Sequence, residues 1–279
     1  MKEVIDFYKD NPFNFSEDIK VYFDSIKNSN QVLEYEDLHK LLSNNFNSEK
    51  KIKDIIEFGC GTGWLTNTIS YHYKKNVHAV DFTKKALETA QEVSKRLAVY
   101  PRYTASNIFS FEDPNLYDLV ISLGVLHHTI DCYKAFKKIS SFVKKGGFIY
   151  VGLYHYYGRR PMLNLLQEYC YWHGEKSAYN LFKKMNTSMK DKDHSYSWFR
   201  DQVINPHETQ HILKEIYSWI KEIGFELVST SINEYKNLKN FSNAELYQLE
   251  KELEDYSYDR NIKDQKFTPG YFTICAKKI

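Results

Sequence analysis

Cysteine is scarce in this 279-residue chain: Cys60, Cys132, Cys170 and Cys275 stand far apart and none belongs to a CxxC pair. That spacing gives neither a disulfide framework nor a zinc-ligand set, and it suits a reducing cytoplasm. Arginine is also scarce, at six of the 38 cationic residues. Arg supplies the forked phosphate contacts of nucleic-acid readers. The 38 cations face 36 acids, a net charge of only +2, so bulk electrostatics disfavours a DNA or RNA partner. No stretch reaches the roughly 20 consecutive apolar residues of a membrane-spanning helix. The opening MKEVIDFYKDNPF carries acids and no apolar stretch, so it does not read as a secretory signal. Internal repeats and low-complexity linkers are missing too. What remains is an ordinary globular mix, 42% hydrophobic and 27% charged, which excludes disorder throughout. Aromatics are plentiful at 16%, including 23 Tyr, which fits packing or an aromatic-lined pocket.

Residues 1–50 have helical spacing at Ile19, Phe23 and Ile26 and at Leu38, Leu41 and Leu42. Polar breaks fall at Asn11-Pro12, Asn28-Ser29-Asn30 and Asn44-Asn45. This zone is expected to form a helical lid segment. From 51 to 155, short apolar runs alternate with helical patterns. Strands are expected at 52–59, 76–82, 101–107, 117–124 and 147–155. Helices are expected from Trp64, over 83–98, and over 131–145, the last capped by Asp131 and ended by Gly146-Gly147. Such alternation means βαβ units and a parallel sheet. Residues 156–206 are too many for a loop. With helical patterning at 161–171 and 176–185, they read as an inserted helical cap. Residues 207–279 resume the core with a helix at 209–223, a strand at 225–235, a charged helix at 242–255 and a last strand at 271–278. The expected fold is α/β, a Rossmann-like seven-stranded mostly parallel sheet ending in a hairpin-like pair.

The strongest local signal is Glu57-Phe58-Gly59-Cys60-Gly61-Thr62-Gly63, set between a strand and a helix. A ligand there meets the positive end of the helix, and glycines let it approach the backbone. Asp81 follows Gly61 by 20 residues, at the end of the next strand, where doubly wound folds place an acid on a ribose diol. A dinucleotide turn would need a third glycine where Trp64 stands, which argues against an NAD-dependent oxidoreductase. The Gly59, Gly61, Gly63 pattern instead resembles the first motif of class I S-adenosylmethionine (SAM)-dependent methyltransferases. YDLVISLGVLHH (117–128) and FVKKGGFIYV (142–151) resemble that family's fourth- and fifth-strand motifs, with Lys145 where Pro is common.

The resemblance implies SAM as cofactor and S-adenosyl-L-homocysteine (SAH) as product. It implies a cofactor site of Glu57, Gly59, Cys60, Gly61, Gly63 and Trp64 around the turn, Asp81 on the ribose, and Phe82 against adenine. Asn107 and Ile108 would also lie beside the adenine, Asn107 standing where the family usually has Asp, and Leu123 completes the set. Two further stretches, GLYHYYGRRP with DQVINPHETQH and FYKDNPFNF, resemble segments of a bacterial methyltransferase subgroup.

The sulfonium already activates the methyl group, so the protein has mainly to align an acceptor and exclude water. A base is needed where the acceptor loses a proton. Catalytic candidates are His127, His128, Tyr154 and His155, at the ends of the fourth and fifth strands, with only one of the adjacent His pair expected to face the crevice. Strand alternation would put Tyr154 and Tyr156 on one side and His155 and Tyr157 on the other. Substrate-binding candidates are Tyr8, Phe13, Tyr157, Arg159, His207 and Glu208. His207 and His211 would share a helix face, but two His without a third ligand do not make a metal site, and no metal is expected. The resulting expectation is a cytoplasmic SAM-dependent methyltransferase acting on a small molecule under an aromatic-rich cap, with no membrane association. An RNA or protein methyltransferase and a non-catalytic SAM-binding module are the rivals.

Overall fold

The computed structural model describes residues 2–9, 12–16, 18–43, 52–187 and 191–279. The expected breaks at Asn11 and at Asn44-Asn45 lie outside the described residues. Seven strands form one sheet: β1 (Asp54–Phe58), β2 (Asn76–Asp81), β3 (Arg102–Ala105), β4 (Tyr117–Leu123), β5 (Val143–Tyr154), β6 (Phe225–Thr230) and β7 (Tyr271–Lys278). Their order is β3-β2-β1-β4-β5-β7-β6. The first five strands are parallel, and β7 runs antiparallel between β5 and β6. The expected seven-stranded, mostly parallel sheet is present, with its antiparallel pair at the end of the chain.

Successive residues of the central strands point to opposite faces, so both faces are apolar, as a sheet covered on two sides requires. Ile56, Val120 and Ile149 pack into one buried cluster, and Ile55, Leu119, Ile121 and Phe148 into the other. The second cluster is covered by α3 (Glu36–Leu42) and α4 (Trp64–His72); the first is covered by α6 (Cys132–Ser140), α10 (Leu213–Glu222) and α11 (Asn243–Tyr258). Toward the N-terminus lie α1 (Lys2–Lys9) and α2 (Ile19–Asn28), and α2 packs Tyr22 and Ile26 on Val93 and Leu97 of α5 (Lys84–Leu97). Chain direction diverges from β1 toward β2 on one side and β4 on the other. That switch point is where such sheets hold ligands.

Between β5 and α10 stand α7 (Tyr156–His173), α8 (Glu175–Met185) and α9 (Lys192–Val203). They share an apolar cluster around Met162, Phe182 and Phe199.

Several expected boundaries move. The helix after Asp131 stops at Ser140, because Val143 pairs with Tyr117 in the sheet and residues 144–147 form a bulge with Gly146 at φ +72°. Gly146 is therefore a bulge glycine, not a helix terminator. Helix α7 begins at Tyr156, five residues before the Pro161 start that the sequence suggested, with His155 as its cap. The strand expected over 225–235 ends at Thr230; beyond it Glu234 and Tyr235 turn the chain with positive φ. Helix α9 has no counterpart in the sequence reading. Its buried side includes Ser195, Ser197, Asp201 and Gln202, so no apolar stripe announces it.

Candidate active site

The C-terminal ends of β1, β2 and β4 surround a cleft whose walls include Gly61, Asp81, Phe82, Ile108, Leu123 and His128. Positive φ at Gly59, Gly61 and Gly63 turns the chain from β1 into α4. These glycines do different work. A Cβ on Gly61 would meet nothing within 4 Å, so its backbone faces open cleft, whereas a Cβ on Gly59 would lie 2.3 Å from a Val125 methyl. Gly63 does not line the cleft: a Cβ there would sit 2.6 Å from the Ala90 Cβ, so it serves the close packing of α4 on α5.

Asp81 is buried, and its two oxygens accept from the amides of Gly61 (2.9 Å) and Thr83 (2.8 Å). Burial raises its pKa, opposed by those amides. A carboxylate oxygen accepts more than one hydrogen bond, so Asp81 can hold the turn and a ligand hydroxyl together. Glu57 is buried behind the turn, accepts from the Thr66 hydroxyl, and is pushed up to about 7, chiefly by burial. Cys60 is buried with its thiol pKa raised by burial, which disfavours a thiolate at neutral pH. Trp64 lines this cleft and a second cavity beside it. The amide oxygen of Asn107 accepts from Phe109 N at 2.9 Å, so Asn107 braces its own turn as well as lining the cleft.

The second cavity shares Phe13, Asn14, Trp64, Leu123, Gly124 and Asp201 with the first. Asp201, on α9, sits where the two meet. It accepts from the hydroxyls of Tyr8 and Tyr154 and from Gln202 Nε2. Burial and the Asp201 charge hold both phenols protonated by raising their pKa. His128 completes the group. Its Nδ1 lies 2.8 Å from the carbonyl of His207, and a carbonyl can only accept. The proton is thus on Nδ1. Nε2 has no hydrogen-bond partner and stands 3.8 Å from Asp201 Oδ1. The ring of Tyr8 lies between Phe82 and His128, 6.3 Å from each.

Of the adjacent histidines only His128 lines the cleft. His127 is fully buried, stacks on the Tyr154 ring at 3.9 Å, and is kept neutral by burial. Five further candidates have other partners. His155 is a structural hub: it caps α7 through Gly158 N and contacts Glu250 of α11 at 2.9 Å, away from both cavities. Tyr157 packs against the rings of His155 and Tyr156, also outside the cavities, because the chain turns helical at Tyr156 and strand alternation ends. Arg159 is not a surface residue. It is fully buried, and all five of its N–H groups are engaged, in a fork on Glu208 (2.6 and 3.0 Å) and on Gln202 and the Pro269 carbonyl. Burial opposes its charge, but Tyr154, Glu208 and Asp201 outweigh the penalty and raise its pKa. Glu208 is consumed in that fork. His207 points Nε2 at the Thr129 carbonyl, 2.8 Å away. Since α10 starts only at Leu213, His207 and His211 lie in an extended stretch that laces the ends of β4 and β5 through Thr209 and His211, not on one helix face. Among the described residues no cluster of His, Cys, Asp and Glu could hold a metal.

Asp201, Gln202, Asn14 and Trp198 are cavity residues that sequence reasoning passed over. The one available signal was the Asp-Gln pair opening DQVINPHE.

Comparison with known proteins agrees with this architecture. A family model described as a methyltransferase domain matches residues 56–151, which run from β1 into β5 and include the glycine turn, Asp81 and His128. An uncharacterized protein of Synechococcus sp. is 21% identical over 201 residues, the alignment covering 63% of this chain and 48% of that protein. The ubiquinone biosynthesis O-methyltransferase of Rickettsia prowazekii is 23% identical over 217 residues, covering 77% of this chain and 78% of the enzyme. Among solved structures, PKMT2 of Rickettsia typhi with AdoHcy aligns with a TM-score of 0.57 at 14% identity, over 81% of this chain and 48% of that one. The magnesium protoporphyrin IX methyltransferase of Synechocystis with bound SAM aligns with a TM-score of 0.50 at 12% identity, over 100% and 90%. The chain thus spans about half the length of the Synechococcus protein and of PKMT2. The fold is that of class I methyltransferases. Residues 56–151 match the methyltransferase-domain model, and the Synechocystis enzyme that shares the fold holds SAM.

Proposed function

We propose that this chain transfers the methyl group of SAM to a small-molecule acceptor held in the second cavity. The observation that carries this reading is the junction of the two cavities at Asp201, with the unpartnered Nε2 of His128 beside it. In this reading Asp81 holds the ribose diol, the turn around Gly61 receives the amino-acid end, and Phe82, Asn107 and Ile108 flank the adenine. Bound there, SAM supplies an activated methyl group. The acceptor lies against Phe13 and Tyr154, and Tyr8 closes the cofactor side. His128 takes the acceptor's proton at Nε2, its ring oriented by the His207 carbonyl. Cover from α1, α2 and α9 excludes water, which strengthens each polar contact inside.

A small acceptor is supported by the aromatic lining of the second cavity and by the near-neutral charge. Relatives named for ubiquinone biosynthesis and for magnesium protoporphyrin IX methylation are in keeping with it. Among the described residues no helix is long and apolar enough to cross a membrane, and the four unpaired cysteines suit a reducing cytoplasm. Incubation with methyl-tritiated SAM and a cell extract tests the proposal. Label is expected in the small-molecule filtrate; label confined to RNA or protein would reject it.

A further inference from the structure

Seven of the twenty described residues lining the second cavity are Phe, Tyr or Trp, three are Asp or Glu, and none is Lys or Arg. The whole chain carries 38 cations against 36 acids, so this lining departs sharply from the average. The three acids sit at different depths. Glu34 is at the exposed mouth, Asp191 is part-way in, and Asp201 is buried at the junction with the cofactor cleft. The only lining group that could become cationic is His194, whose pKa burial lowers. Trp198 and Trp64, the largest rings, stand among these acids. Their faces carry the negative end of the ring quadrupole and attract cations. The histidine at the junction is 5% exposed and leaves Nε2 without a hydrogen-bond partner.

We infer that the acceptor is an amine, drawn in as an ammonium along the carboxylates and aromatic faces and methylated on nitrogen. This rests on the small-molecule reading above and narrows it. An anionic or phenolate acceptor would meet three carboxylates with no Lys or Arg in the described lining, the nearby Arg159 being taken up by its fork on Glu208, Gln202 and the Pro269 carbonyl. An ammonium gains from each carboxylate and from the rings. Near Asp201 one N–H proton passes to Nε2 of His128, which frees the nitrogen lone pair. That lone pair forms the bond to the methyl carbon, while the carbon–sulfur bond of SAM breaks with its electrons remaining on sulfur. The products are the N-methylammonium and SAH, with the proton on His128 released to solvent.

The test is calorimetry on the full chain saturated with SAH, using phenethylamine, 2-phenylethanol and phenylacetate as probes of similar size and different charge. The ammonium is expected to bind at least tenfold more tightly than the alcohol, and the carboxylate most weakly. Asp191→Asn keeps an N-cap for α9 and, lining only the second cavity, should cut that preference at least threefold while leaving SAH affinity unchanged. Equal affinity for the three probes, or a preference for the alcohol or the acid, overturns the inference and leaves the methyltransferase reading standing. Failure of SAH itself to bind, read in the same titration, overturns both.

Discussion

The Asp81 side of the cleft is built from backbone, with the amides of Gly61 and Thr83 turned onto one carboxylate within a stretch of 23 residues. The Asp201 side is built from side chains of four distant segments: Tyr8, His128, Tyr154 and the α9 carboxylate itself. A backbone site is set by local geometry and accepts any sequence that can turn there. A side-chain site depends on long-range packing, and one substitution can re-aim it. The first therefore suits a ligand common to many enzymes, and the second suits one particular to this chain.

That contrast can be broken most sharply at His128. His128→Gln should lower kcat by about 10²–10⁴-fold, the usual worth of a positioned base, with SAM affinity unchanged, measured by label transfer to the acceptor. An unaltered kcat would remove His128 from the chemistry. Next comes the support behind the side-chain half. Arg159→Met leaves Glu208 without its partner and should cost about 3–5 kcal/mol in urea unfolding. Adding Glu208→Leu should restore part of it, since the loss comes from an uncompensated charge. On the backbone half, Asp81→Ala should weaken SAM binding roughly 100-fold, from lost hydrogen bonds to a charged acceptor of about 1.5–3 kcal/mol each. Calorimetry with circular dichroism separates that effect from unfolding.

The smallest expected effect is a pH dependence at Glu57. With its pKa raised to about 7 by burial, it is protonated in the folded chain at pH values where the unfolded chain has already ionised. Its contribution to stability is full below the ordinary carboxylate range and is lost as pH rises toward 7. SAM brings positive charge and favours the ionised form, so its affinity should tighten several-fold from pH 6 to 8. Glu57→Gln should flatten that slope; an equally steep slope in the variant would point to another group.

The two halves were also unequally legible in the sequence. The glycine turn, Asp81 and the limits of β7 could be read from local pattern, because turn conformation and period-2 burial leave marks within a few residues. The Tyr8–Asp201 contact spans 193 positions and the Tyr154–Asp201 contact 47. No local spacing encodes either. Helix α9 escaped notice for the same reason, since it buries Asp201 and Gln202 toward partners that only the fold supplies. Arg159 and Glu208 each read as separate substrate-binding candidates, with nothing in the sequence to join them. Their mutual fork becomes visible only once α7 and the 207–211 stretch lie side by side.

That fork constrains traffic. A guanidinium on α7 that grips the end of α9, Glu208 and the chain just before β7 rivets the rear wall of the chamber on three sides. With that wall fixed, the proposed acceptor would pass Glu34 at the exposed mouth of the second cavity, while α1, latched by Tyr8 and by the hold of Arg200 on Phe7, covers the cofactor cleft. The helices after β5 are the frame, and α1 is the cover of the cofactor side.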